Sequence, residues 1–287
     1  VAATSSPKSF KTYLEFVKFE HTLFALPFAY GGMLLAAGGW PGWTTFFWIT
    51  LAMVGARTAS MALNRVTDAG IDAKNPRTAN REIPRGALSR RDGLLLAAVS
   101  FVVLAVAGWA LNPLTLMLLP VAVFFLSFYS FTKRFTWLCH FVLGLTIGAA
   151  AAGGWIAVTG AFAPATIALW AGVGLWIAGF DIIYALLDYD FDVKNGIYSV
   201  PSRFGKERAL TISAVTHFIA WLALGAVLPL AGLGYFYGGA LLVVASVLIY
   251  AHLLVRDKGA GAALASFNAN LYVSSIVLLG VVLELLF

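Results

Sequence analysis

Nine apolar stretches of about 18 to 25 residues recur along the chain, and at a rise of about 1.5 Å per residue each can cross a hydrocarbon core of roughly 30 Å. They cover residues 20–38, 43–63, 94–111, 113–131, 138–158, 162–187, 209–230, 235–255 and 264–286. Lipid offers no water to an open strand edge, so helices are predicted throughout. The joints Gly38–Gly42, Asn112–Pro113, Thr159–Pro164 and Ala231–Gly234 carry the Gly, Pro and Asn that end helices. With 61% apolar and 11% charged residues in 287, the composition lies outside that of soluble domains. Pro7, Lys8, Lys11, Glu15 and Lys18 precede any apolar core. A cleavable signal peptide is therefore not expected, the first span should be retained, and Val1–Pro7 reads as a loose tail. The single cysteine, Cys139, allows no internal disulfide and has no metal-ligand spacing, which leaves it a packing role.

Charge fixes an orientation. Of the nineteen Lys and Arg residues, all but Arg57 fall in the N-terminal segment or in 64–92, 132–137, 188–208 and 256–263, and the four opposite loops contain none. The positive-inside bias places the N-terminus and these loops in the cytoplasm and the C-terminus outside, as expected of a multi-pass protein of the cell membrane. The net charge of +6 does not point to nucleic acid, because the cations lie in membrane-proximal loops and are partly balanced by Asp.

Two acidic series stand at the cytoplasmic ends of the second and sixth spans. Asn64, Asp68 and Asp72 follow i, i+4, i+8 spacing and share one helix face. Tyr184, Asp188 and Asp192 repeat the pattern, with Asp181 about two turns deeper on the same face. The segments superpose at an offset of 120 residues, Lys74 on Lys194 and Asn75 on Asn195 included. This predicts one domain over 1–287, made of parallel four-helix repeats at about 13–131 and 138–255 plus a ninth helix at about 264–286, with a site between the halves. Solvated helix-end carboxylates paired with neighbouring cations are the plainer alternative. Carboxylates on facing helices near lipid need a counter-charge, however, and hard oxygen ligands with a neutral Asn suit Mg²⁺ completed by diphosphate oxygens. Asp190 and Glu82 fall off the shared faces and read as solvated.

The candidate diphosphate ligands are Arg77 and Arg81 in the basic loop after the first series, Arg65 within that series, Lys194 after the second, and Lys133 and Arg134 beside them. Attraction to lipid headgroups would account for loop cations equally well. Arg57 differs, since it lies two turns deeper than Asn64, and a guanidinium there must face the bundle interior and find an anion. It is either paired with a buried carboxylate such as Asp181 or forked onto an acceptor carboxylate or the diphosphate.

Asn64-x3-Asp68-x3-Asp72, followed by Asn75-Pro76-Arg77-Thr78-Ala79-Asn80-Arg81 and Pro84-Arg85-Gly86, resembles the first signature of the UbiA-type intramembrane prenyltransferases. The run Asp181-Ile182-Ile183-Tyr184-Ala185-Leu186-Leu187-Asp188-Tyr189-Asp190-Phe191-Asp192 resembles the second, and Arg57 and Tyr129-x3-Lys133-Arg134 fall where members carry such residues. The resemblance implies an all-α membrane fold of nine helices around a central cavity, capped by the loops after the second and sixth. It also implies Mg²⁺-dependent transfer of a prenyl group from polyprenyl diphosphate. The Arg77–Arg81 stretch is most similar to members acting on 4-hydroxybenzoate. Ser199-Val200-Pro201-Ser202-Arg203-Phe204-Gly205 is similar to those acting on a dihydroxynaphthoate in a menaquinone route, and Arg65-Val66 departs from the Asp-Tyr many members have after the Asn.

On that resemblance, Asn64, Asp68, Asp72, Asp188 and Asp192 are expected to hold Mg²⁺. Asp181, Asp188 and Arg57 are the expected catalytic residues, with Arg57 also on the acceptor. Asp181 would polarise the acceptor hydroxyl, collect the ring proton or hold Arg57. A transporter shares the repeats and intramembrane charge but would carry its site at the midplane on broken helices. CDP-alcohol phosphotransferases keep their Asp residues in one stretch, whereas 120 residues separate the two series here.

Overall fold

The computed structural model of the protein describes residues 9–287, and their side chains apart from those of 20–24. The predicted Val1–Pro7 tail lies outside the described residues. The helices are α1 (Phe10–Phe16), α2 (Phe19–Ala37), α3 (Trp43–Asp72), α4 (Arg90–Leu111), α5 (Pro113–Thr132), α6 (Cys139–Thr159), α7 (Pro164–Tyr184), α8 (Tyr189–Asn195), α9 (Val200–Phe204), α10 (Lys206–Leu230), α11 (Tyr235–Lys258) and α12 (Ala263–Leu286). Short 3₁₀ turns at Ala185–Asp188 and Ala260–Ala262 complete the described structure, and no strand occurs in it. Eight segments are long and apolar enough to cross a membrane. The remaining predicted crossing falls on α2, whose described apolar stretch is Ala25–Ala37.

The joints form where the breakers lie. Gly38 closes α2 in the left-handed region at φ 61°, a conformation in which a Cβ is strained. Asn112 ends α4 and caps α5: its side chain accepts from the Thr115 amide at 3.0 Å, and its Nδ2 donates to the carbonyls of Ile156 and Ala157 at 2.8 and 3.1 Å. One residue thus stops a helix, starts the next and ties both to the end of α6.

Helix α6 is the axis of the bundle, packed on α2, α5 and α7. Its small residues permit this. A Cβ at Gly144 would run into the Gly174 carbonyl of α7, and one at Gly154 into the Ala29 carbonyl of α2. Helices without a hydrophobic driving force between them gain their association from such close contact. Beyond α6, α7, α10, α11 and α12 enclose the largest apolar core, around Leu169, Trp176, Leu224, Tyr237, Val244 and Val277.

Length positions the acidic residues. Helix α3 has 30 residues and spans about 45 Å, against a hydrocarbon thickness of about 30 Å, so it is long enough to carry its last turns, from Asn64 onward, beyond the core. Helix α7 ends at Tyr184 instead of running on as one face through Asp192. The 3₁₀ turn after it winds each residue about 20° further than an α-turn, roughly 80° over its four residues, and this breaks the predicted i, i+4, i+8 face. Neither Gly nor Pro marks that turn, and nothing in the sequence announces it.

Candidate active site

One cavity of about 220 Å³ lies where α3, α5, α6, α7 and α8 meet at the end of the bundle that carries the basic loops. Asn64, Asp68, Asp72, Asp181, Asp188 and Asp192 all line it. The 3₁₀ turn leaves both signatures facing one space by another route than the continuous helix expected.

The carboxylates are deep and most are already neutralised. Asp68 is 1% exposed, receives Lys133 Nζ at 2.6 Å and Arg134 Nη2 at 3.2 Å, and accepts from Asn64 Nδ2 at 2.9 Å. Asp72 receives Arg81 Nη1 at 2.8 Å. Asp188 is gripped by both ends of the Arg77 guanidinium, with Nε at 2.8 Å, and accepts from Asn75 Nδ2 at 2.8 Å. Asn75 and Arg77 follow the first signature and Asp188 belongs to the second, so the halves are bonded across the cavity. Burial opposes the charge on Arg77, but the hydrogen bond and charge of Asp188 outweigh it and hold the guanidinium pKa above its ordinary value. Asp192 is buried with the Ser199 hydroxyl donating to it at 3.3 Å and with no cation within ion-pair distance among the described residues.

The predicted diphosphate ligands divide in two. Lys133, Arg77 and Arg81 line the cavity, and Arg134 reaches it through Asp68. Lys194 is exposed on α8 and does not line it. Arg65 also stays away from it: 4% exposed, it donates from Nε to the Phe16 carbonyl at 3.2 Å and so fastens the end of α1 to α3. Glu82, predicted to be solvated, is instead buried within electrostatic reach of Arg65, whereas Asp190 is open to solvent as expected. The Arg65 charge makes burial of a carboxylate tolerable there.

Of the two alternatives for Arg57, the ion pair with Asp181 does not form. Asp181 accepts from His140 Nδ1 at 2.7 Å, while Arg57 has no ion-pair partner among the described residues and lies off the cavity, next to Tyr129, which lines it. His140 was not among the residues expected from sequence, being a lone histidine 41 positions from Asp181 with no spacing to announce the pairing.

The described residues form a helical bundle, with eight segments long and apolar enough to cross a membrane, whose two acidic signatures meet basic loops over one cavity. The UbiA prenyltransferase family profile matches residues 25–276, and the chain belongs to that family. It is a multi-pass membrane polyprenyltransferase. It is similar to the 4-hydroxybenzoate octaprenyltransferase of Aliivibrio fischeri, 31% identical over 87% of each chain. Among solved structures it is similar to the apo UbiA homologue of Aeropyrum pernix K1, at 33% identity and TM-score 0.85 over 92% of this chain and 98% of that one. The UbiA homologue of Archaeoglobus fulgidus bound to GPP and Mg²⁺ shares the fold at 20% identity and TM-score 0.69, over 93% and 99%.

Proposed function

We propose that the protein transfers a polyprenyl chain from its diphosphate to the ring carbon ortho to the hydroxyl of 4-hydroxybenzoate, in a Mg²⁺-dependent reaction at the cytoplasmic membrane face. The observation that carries this is the single cavity lined by Asp residues of both signatures, three of them bonded to cations. The donor chemistry suits Mg²⁺, with hard carboxylate oxygens on Asp68, Asp72, Asp188 and Asp192 and a neutral one on Asn64. Among the described residues no three of the carboxylates converge as a ready-made metal cluster, and three of them are held by cationic side chains. Bound there, Mg²⁺ would supply the positive charge that makes diphosphate a good leaving group.

The side chains of this chain carry the rest. As the carboxylates exchange their present partners, Lys133, Arg77 and Arg81 become free to donate to diphosphate oxygens without leaving the cavity. Asp181 lines the same cavity from α7, about two turns before Asp188, and is the carboxylate available to the acceptor ring in this reading. Arg57, a permanent cation in a membrane span without an anion among the described residues, lies off this cavity within electrostatic reach of Tyr129, which lines it, so an acceptor extending past Tyr129 would bring its carboxylate to that fork. The names of the bacterial relatives support 4-hydroxybenzoate, and the GPP- and Mg²⁺-bound Archaeoglobus homologue supports the donor and the metal.

The test is to incubate the purified protein with Mg²⁺, geranyl diphosphate and a panel of aromatic acids and to identify the product by mass. Prenylated 4-hydroxybenzoate is expected. Product from a dihydroxynaphthoate alone would move the acceptor to the menaquinone type, and no aromatic product from any acid would refute the reading.

A further inference from the structure

We propose that His140 is a positioning residue that holds Asp181 as the acceptor of the ring proton; this rests on the prenyl-transfer reading above. His140 is 3% exposed, at the start of α6, and both of its ring nitrogens are engaged. Nε2 accepts from the backbone N–H of Val200 at 3.2 Å. A nitrogen that accepts carries no proton, so the ring proton resides on Nδ1 and is donated to Asp181 Oδ2 at 2.7 Å. The tautomer is therefore set by a peptide N–H that cannot change role. Asp181 receives one fixed donor and remains an acceptor.

The second oxygen of Asp181, Oδ1, has no hydrogen-bond partner among the described residues, and Asp181 lines the cavity with its side chain 27% exposed. One oxygen is clamped and the other is presented. The residues behind the clamp are consecutive at the start of α9: Ser199, its cap, donates to Asp192 while Val200, next in sequence, fixes His140. The same stretch is tied to the end of α5, where the Tyr198 amide donates to the Lys133 carbonyl at 2.8 Å. The segment that leads from α8 into the first turn of α9 thus braces a leaving-group wall through Ser199 and a proton-accepting wall through Val200.

The electron and proton account closes without any other reactant. Ionisation breaks the allylic C–O bond, and its electron pair departs with the diphosphate. The ring carbon ortho to the hydroxyl supplies the pair for the new C–C bond. Its C–H pair then returns to the ring as the proton passes to Asp181 Oδ1 and from there to the departing diphosphate. His140 keeps its proton throughout.

Two amides separate the halves of the clamp. In His140→Asn the side-chain NH₂ reaches the place of Nδ1 and keeps the bond to Asp181. In His140→Gln the amide reaches the place of Nε2, keeping Val200 and losing Asp181. Both are assayed with 4-hydroxybenzoate and with its ring-deuterated form, geranyl diphosphate and Mg²⁺. His140→Gln should lose roughly a hundredfold in kcat, the scale on which misplacing a reacting group costs rate, with KM for the prenyl diphosphate nearly unchanged. Its deuterium isotope effect should rise above that of the wild type, because proton loss has become slow, and His140→Asn should recover most of the rate with the wild-type isotope effect. Equal rates and isotope effects in all three proteins would overturn the assignment, as would equal losses in both variants with KM for the prenyl diphosphate raised. If the wild type itself makes no prenylated aromatic acid, the prenyl-transfer reading falls and takes the role of His140 with it.

Discussion

Each acidic residue of the cavity has a distinct partner, and this lets single substitutions be told apart. Asp68→Asn should remove turnover by at least about a hundredfold while leaving a folded protein, since the charge that holds Lys133 and Arg134 is lost but the shape is kept. Steady-state rates beside a thermal unfolding curve check both halves of that statement. Arg77→Gln should raise KM for the prenyl diphosphate about tenfold or more, because the guanidinium bridges the two signatures at the cavity. Arg65→Gln should leave that KM unchanged and lower the unfolding midpoint, because its partner is the Phe16 carbonyl. The i, i+4, i+8 spacing carried Asn64, Asp68 and Asp72 to the cavity on one continuous helix, and the match between the two segments pointed to Asp188 and Asp192, which reach it by way of the 3₁₀ turn. Spacing did not separate Arg77 from Lys194 or Arg65, for loop cations look alike until the backbone has turned, and it had no means of pairing His140 with Asp181 across 41 residues.

At the scale of elements, the joints were legible and the 3₁₀ turn was not. Gly38, Asn112, Pro113 and Pro164 impose their own dihedral limits, so helix ends follow from them directly. Ala185–Asp188 contains no Gly, Pro or β-branched residue, so nothing local announces its tighter winding. Close packing of α6 gives a test at the same scale. Gly154→Val places a side chain against the Ala29 carbonyl and should separate α6 from α2, at about 1–3 kcal/mol or more. A midpoint lower by several degrees in detergent is the expected reading, whereas Gly153→Val, with open space around it, should change little.

For the whole molecule, the charge asymmetry of the loops predicts sidedness. A cysteine placed at Pro41 of a Cys139→Ser protein should react with an impermeant maleimide from outside intact cells, and one placed at Arg85 only after permeabilisation. The opposite pattern would invert the proposed orientation. Repeat symmetry is proposed from the matched signatures; α3 packs on α4 much as α7 packs on α10, whereas α6 packs on α7 far more extensively than α2 does on α3. Because Lys133, Arg134, Arg81 and Arg77 act as counter-ions to three of the carboxylates, the cavity wall comes near electrical balance through the protein's own charges. Chelation should therefore stop the reaction without melting the protein, unlike domains whose folding depends on their ion. The scaffold can keep its shape in the bilayer between turnovers, and arrival of a metal-loaded donor amounts to a trade of one set of cations for another.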